Sequence, residues 1–189
     1  ARFIGRDAKA FKDILRATRL GEIVFITTPD KSIKPVCDYL SCRNGFKNRS
    51  IIIHCSGNFS SSVLRSARSR KSYIASLHPL QTFAEPVMAV KNFKGVYCSC
   101  EGDKPAFRVV KDIIRTLGGI PVKIDSATKP LYHAAGVIFS NYLVTLITIG
   151  QRFLKASGFP APYLNQAFLP LARGTIDNIN KVGTVHALT

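Results

Sequence analysis

Four short runs constrain this chain more than any other feature: residues 22–28 (EIVFITT), 51–54 (IIIH), 73–77 (YIASL) and 96–100 (VYCSC). Each is β-branched, aromatic or apolar along most of its length, which marks a strand buried on both faces. Between them the pattern changes to that of helices. Pro29-Asp30 is a turn-and-cap signal, after which Ile33, Val36 and Leu40 fall on one helical face. A serine-rich helix start follows Cys55-Ser56-Gly57, and a helix from about Pro105 to Leu117 is stopped by Gly118-Gly119. Residues 121–124 read as a last short strand. Apolar strands separated by helices predict an α/β fold with a mainly parallel sheet. Beyond about residue 126 the strand signals vanish and two or three helices are expected, roughly 129–157, 163–171 and 174–180. The sequence therefore divides into an α/β domain, 1–126, and an all-helical domain, 127–189.

Charge and cysteine content narrow the class. The 27 Lys and Arg exceed the 11 Asp and Glu, for a net charge of +16 over 189 residues. Such an excess attracts polyanions and phosphorylated cofactors. The basic residues are scattered or in short groups such as RSARSRK (65–71), with no basic tail or zinc-finger spacing, so a solvated basic surface explains most of them. Nucleic-acid binding rests on the charge alone. Five cysteines make an odd number without a CxxC pair, which favours free thiols in a reducing, cytoplasmic setting. Cys98 and Cys100 do not form a standard metal-ligand set, and no metal is expected. The apolar run 134–149 is interrupted by Ser140 and Asn141 and is short for a membrane span.

Residues 129–146 (KPLYHAAGVIFSNYLVTL) read as one helix, apolar almost all round. At about 100° per residue, Lys129, His133, Gly136 and Ser140 fall within an arc of roughly 60°. Ionisable groups on a buried stripe are costly unless paired or used. A glycine in that stripe leaves room for a ligand or a second backbone. The competing reading is a packing helix whose lysine and histidine are satisfied internally.

Open α/β sheets bind ligands beyond the carboxyl ends of their strands. Those ends carry Thr27-Thr28-Pro29-Asp30, Cys55-Ser56-Gly57 and His78-Pro79. Serine and histidine there suit hydrogen bonding to a polar substrate or acid/base work, although Ser-Gly and His-Pro are also ordinary turn dipeptides. Near the start, residues 2–4 read as a strand and Gly5-Arg6-Asp7 as its turn. A basic residue at the end of the second strand of a dinucleotide fold accommodates a ribose 2′-phosphate, so Arg6 favours NADP, with NAD the alternative that Asp7 keeps open.

These pieces together resemble a family. HCSGNFSSSVL (54–64), SLHPLQTFA (76–84), EGD (101–103), LGGIPVKI (117–124), KPLYHAAGVIFSNYLVTL, LPLARGTIDNI (169–179) and the closing ALT look like the Rossmann-like oxidoreductases whose C-terminal half is a domain of unknown function. The resemblance runs from about residue 20 to the end. It implies a nucleotide-binding domain joined to a helical domain like that of 6-phosphogluconate dehydrogenase and pyrroline-5-carboxylate reductase relatives, which commonly form dimers. Lys129 and His133 are similar to the Lys and Asn pair that opens the corresponding helix of β-hydroxyacid dehydrogenases, with His in place of Asn. Ser56 and His78-Pro79 are similar to groups lining the substrate site of prephenate dehydrogenases. The chain departs from the family in having no GxGxxG turn, which a dinucleotide's pyrophosphate needs. It starts in what reads as the second strand and stops at ALT where family members continue. The expectation is therefore a fragment or processed form lacking the first strand-turn-helix and a tail.

The sequence reading is an NADP-dependent oxidoreductase acting on a small polar, anionic substrate between its two domains, as a homodimer through the helical domain and without a membrane. Lys129, His133 and His78 are the catalytic candidates. Ser56, Gly57, Ser140 and Asn141 are the substrate-binding candidates, and Arg6, Thr27, Thr28 and Pro29 border the cofactor. Two rivals stand beside it: a nucleotide-sensing protein of the same fold without chemistry, and a basic nucleic-acid binder.

Overall fold

The computed structural model describes residues 13–83, 90 and 92–187. The strand expected at 2–4 and Arg6 lie outside the described residues. Two compact units divide the chain, Ala1–Gly136 and Val137–Thr189.

The first unit holds a five-stranded sheet in the order β1-β2-β3-β4-β5: β1 Ile23–Ile26, β2 Ile51–His54, β3 Tyr73–Pro79, β4 Tyr97–Gly102 and β5 Ile120–Lys123. Three pairings are parallel, and β3 with β4 is antiparallel, so β4 and β5 run opposite to the first three strands. The mainly parallel sheet expected from the apolar runs is the one observed.

Helices cover both faces. Helix α1 (Ile14–Leu20) starts at Asp13, whose carboxylate accepts from the Leu15 N–H at 2.9 Å. Helix α2 (Asp30–Cys42) buries Ile33, Cys37 and Leu40, as its apolar spacing requires. With a 3-10 helix, Ser61–Arg70, it forms one core around Ile26, Ile52, Leu64 and Ile74. Helix α3 (Lys104–Thr116) places Ala106, Val110 and Ile114 against Ile53, Ala75, Leu77, Cys98 and Cys100 on the other face. Each fully buried Leu or Ile contributes about 1.5–3 kcal/mol of transfer free energy. Helix α4 (Lys129–Val137) closes the unit.

Three local expectations differ from what is observed. His78-Pro79 are not a turn: β3 runs through them, because Pro79 lies opposite Cys98 and His78 opposite Ser99 on antiparallel β4. The helix after Gly57 is 3-10, not α. Its first serines take other partners, the N-cap Ser60 with neighbouring Ser62 at 2.6 Å and Ser61 with the Glu101 carboxylate on β4 at 2.7 Å; the short-range Ser60–Ser62 bond competes with α-helical bonding. The helices expected at 163–171 and 174–180 are one, α6 (Leu164–His186), which passes through Pro170 and Gly174 and breaks only at Gly183, where φ is +78°.

The second unit consists of a π turn, Ile138–Tyr142, helix α5 (Leu143–Ala156), a short 3-10 turn, Ala161–Tyr163, and α6. None of these elements has a buried residue. The Gln151 amide donates to the Asn165 Oδ1 at 2.9 Å, tying α5 to α6.

Candidate functional site

One face of the sheet changes character at its edge. Alternate residues of a strand share a face, as do residues in register on neighbouring strands. His54 lies opposite Ser76, Ser76 opposite Glu101, and His78 opposite Ser99. These five polar residues therefore form a strip continuing the face that carries Ile26, Ile52 and Ile74. Helix α4 brings Lys129, Tyr132 and His133 to this strip.

Lys129 is fully buried, and its ammonium donates to the Ser76 hydroxyl. Its Nζ lies 3.7 Å from Glu101 Oε1. Glu101, itself buried, also accepts from the Ser61 N–H at 2.6 Å and the Ser61 hydroxyl at 2.7 Å. Burial pushes the Lys129 ammonium down to about 8, against the opposing pull of Glu101. The four residues link β3, β4, the 3-10 helix and α4. This geometry serves anchoring, because the ammonium points into protein and not toward solvent.

His54 is also internal. Its Nδ1 accepts from the Ser56 N–H at 3.1 Å, which leaves Nε2 to donate to the Ser60 carbonyl at 3.1 Å. Burial, aided by the Lys129 charge, lowers its pKa to about 4, so it is neutral. Ser56 is occupied too. Its hydroxyl donates to Asp30 at 2.9 Å and accepts from the N–H groups of Asn58 (3.1 Å) and Phe59 (3.2 Å). Ser56 therefore shapes the loop after β2 and ties it to the first residue of α2.

Gly57 is where side chains converge. A Cβ there would lie 2.8 Å from His78 Nε2 and 3.0 Å from His133 Nδ1. Only glycine allows both imidazoles this close to the backbone. At Gly136, by contrast, a Cβ would meet only Leu80 Cδ1 at 3.5 Å, an ordinary contact. The glycine that makes room is thus in the β2 loop, not in the helix stripe. His78 Nδ1 is 3.0 Å from the Tyr132 hydroxyl, and the two rings meet edge to face. Burial first, then the charges of Lys129 and His133, lower His78 to about 4, with Asp30 opposing.

Thr27, Thr28 and Pro29 lie between β1 and α2, as expected for the sheet's carboxyl edge. The Thr28 hydroxyl is buried without a hydrogen-bond partner among the described residues. A donor left unpaired in this way is costly unless a ligand or water supplies its partner. Ser140 and Asn141 belong to the second unit. Both lie in the π turn, Ser140 half-buried and Asn141 exposed, where a wider turn replaces the α-helical phasing assumed for the stripe. Among the described residues, no group of three His, Cys, Asp or Glu is placed to hold a metal ion.

Ser61, Ser76, Ser99 and Tyr132 were given no site role from sequence, and Asp30 and Glu101 were read there only as parts of a cap signal and a strand-end motif. The signal for several was present. His54-Cys55-Ser56, Ser76-Leu77-His78 and Ser99-Cys100-Glu101 each place polar residues two apart within apolar strands. That period marks one polar face.

Comparison with known proteins fits this architecture. The family described as Domain of unknown function (DUF2520) matches residues 96–189. A protein from Thermotoga maritima of solved crystal structure is 32% identical, with a TM-score of 0.72 over 88% of this chain and 62% of its own. A Bacteroides fragilis protein described as an NADP oxidoreductase is 18% identical, with a TM-score of 0.74 over 95% of this chain and 65% of its own. Plasmodium falciparum pyrroline carboxylate reductase, crystallised with NADP bound, is 13% identical with a TM-score of 0.64, over 92% and 63%. The chain thus spans less than two thirds of the length of each. No curated protein matches it. The fold is that of the Rossmann-like reductases. Residues 96–189 match the DUF2520 model on that fold.

Proposed function

We propose that the protein is an NADP-dependent oxidoreductase that binds a small, polar, anionic substrate where His78 and His133 meet over Gly57. The convergence of two imidazoles on one buried glycine at the carboxyl edge of the sheet carries this reading. A plain core would not gather two imidazoles, a phenol and a buried ion pair at one end of a sheet face, because each such group costs free energy to bury. Lys129 supports the reading as a positioning residue, since it fixes the start of the helix that supplies Tyr132 and His133.

The cofactor fits the neighbouring edge. The unpaired Thr28 hydroxyl needs a polar partner there, and Thr27, Thr28 and Pro29 would border the nicotinamide end. Asp30, which opens α2, would repel a pyrophosphate at this point. When bound, the cofactor supplies a hydride acceptor or donor. The protein's groups orient the substrate and hold its oxygens. Arg6 would select the 2′-phosphate.

We also propose that a second copy covers the second unit. Phe139, Leu146, Phe153, Leu171 and Val185 are exposed there, and apolar surface on this scale marks an interaction face. The helical run Lys129–Ala156 is long and apolar enough to cross a membrane by length and composition. The buried ion pair at its start and the polar residues Asn141, Gln151, Arg152 and Lys155 along it favour protein as the covering partner. The five cysteines are free, which suits a reducing cytoplasm.

The test is calorimetric titration of NADPH and NADH into the natural full-length protein at physiological salt. NADPH-selective binding that weakens in Thr28→Val supports the reading. Binding of neither nucleotide overturns it. Sedimentation with and without lipid vesicles separates a dimer from a membrane-bound monomer.

A further inference from the structure

We propose that Tyr132 is a positioning residue that holds His78 in its Nε2–H tautomer, so that His78 offers a hydrogen bond to an acceptor oxygen of the substrate, a carbonyl or carboxylate. This assignment rests on the proposed substrate position over Gly57 and deepens it.

The direction of the His78–Tyr132 hydrogen bond follows from the protons available. A phenol has one proton to donate, whereas each nitrogen of a neutral imidazole is either donor or acceptor. The acceptors within reach of the Tyr132 hydroxyl are His78 Nδ1 at 3.0 Å and the His78 carbonyl at 3.5 Å. The shorter bond takes the proton, because a contact at 3.5 Å is at the outer limit of a useful hydrogen bond. The Ser99 hydroxyl, opposite His78 on β4, donates to that same His78 carbonyl at 3.5 Å and not to Nδ1, which is left to the phenol. The Tyr132 proton therefore points at His78 Nδ1. The single proton of a neutral His78 is then on Nε2.

Nε2 is the atom that approaches Gly57. It has no hydrogen-bond partner among the described residues. His78 is half-buried and its basicity is depressed, so the neutral ring persists through the physiological range. The groups around it are Lys129, His133 and Asp30, besides Tyr132. A neutral donor held in this way polarises a carbonyl or grips a carboxylate without giving up its proton. It is unsuited to withdrawing a proton from a substrate hydroxyl, because the nitrogen that faces the site already carries one.

The experiment is a two-bond ¹H–¹⁵N correlation spectrum of the ¹⁵N-labelled full-length protein, without cofactor, across neutral and mildly acidic pH. Wild type is expected to show the neutral Nε2–H pattern for His78, and Tyr132→Phe a shift toward mixed tautomers. Added acetate is expected to move the Nε2–H resonance, and ethylammonium to leave it in place. An Nδ1–H pattern in wild type, or an unchanged pattern in Tyr132→Phe, overturns the positioning role. No response to acetate overturns the substrate class. Neither readout involves NADPH, so failure of nucleotide binding overturns the oxidoreductase reading and not this one.

Discussion

The Lys129 ammonium and the Glu101 carboxylate lie 3.7 Å apart inside the first unit, yet neither relies on the other alone. Lys129 also donates to Ser76, while Glu101 holds both the N–H and the hydroxyl of Ser61. The two halves of the pair are therefore unequally supported. Removing Glu101 strands a buried cation and two Ser61 donors. Removing Lys129 leaves a carboxylate with two hydrogen bonds still in place.

Glu101→Ala is expected to lower unfolding free energy by about 3–5 kcal/mol, the usual cost of leaving a buried charge uncompensated. Lys129→Met, which keeps most of the side-chain volume, is expected to cost less. Urea denaturation of the two variants against wild type checks both the size and the order.

Stability is expected to fall as pH drops from about 6.5 to about 4. In the folded protein His54 and His78 are lowered to about 4 from the ordinary 6.5. Over that range the unfolded chain binds more protons than the folded one, so acid favours unfolding, while above 6.5 the full stability is present. For fully buried His54 the effect is about 3 kcal/mol; for half-buried His78 it is smaller because solvent screens it. Midpoints measured along a pH series in wild type and in His54→Asn test this, the variant being expected to show the shallower slope.

Two glycine substitutions should diverge. Gly57→Ala puts a methyl group within 3.0 Å of His78 and His133. It is expected to cost about 1–3 kcal/mol by overpacking and to displace both rings. Gly136→Ala meets only an ordinary contact in a helix, and is expected to stabilise by about 0.5–1 kcal/mol. Thermal melts of the pair would reverse this order if the helix glycine, not the loop glycine, made the room.

Thiol chemistry offers a fourth check. Cys42 is exposed, whereas Cys37, Cys98 and Cys100 are buried and burial raises Cys55 to about 11. One thiol is expected to react quickly with a disulfide reagent in the native protein at mildly alkaline pH, and five after denaturation. Loss of the fast phase in Cys42→Ser assigns it.

Much of the fold was legible because the strands are apolar on both faces and the helices between them carry clear stop signals. The reversal of β4 was not, since parallel and antiparallel strands share the same apolar pattern. His78-Pro79 accordingly read as a turn, although antiparallel pairing extends the strand through it. At the site, His78, His133 and Gly57 could be picked out by residue type and position. Tyr132 could not, because a tyrosine in an apolar helix looks like packing until its hydroxyl is seen on His78 Nδ1. Lys129 was visible as a charge on an apolar helix. Its partner Glu101 was hidden in a strand end that resembled an ordinary turn.

The contacts that define the site join residues far apart along the chain: 54 positions separate His78 from Tyr132, 53 separate Ser76 from Lys129, and 40 separate Ser61 from Glu101. During synthesis, the sheet strands leave the ribosome well before the helix that completes their polar edge. Until residue 129 emerges, Glu101 has no buried cation beside it and His78 has no phenol. Because closing long loops costs entropy before any contact rewards it, the site is assembled late, and the nascent first unit waits as a sheet with one wet edge.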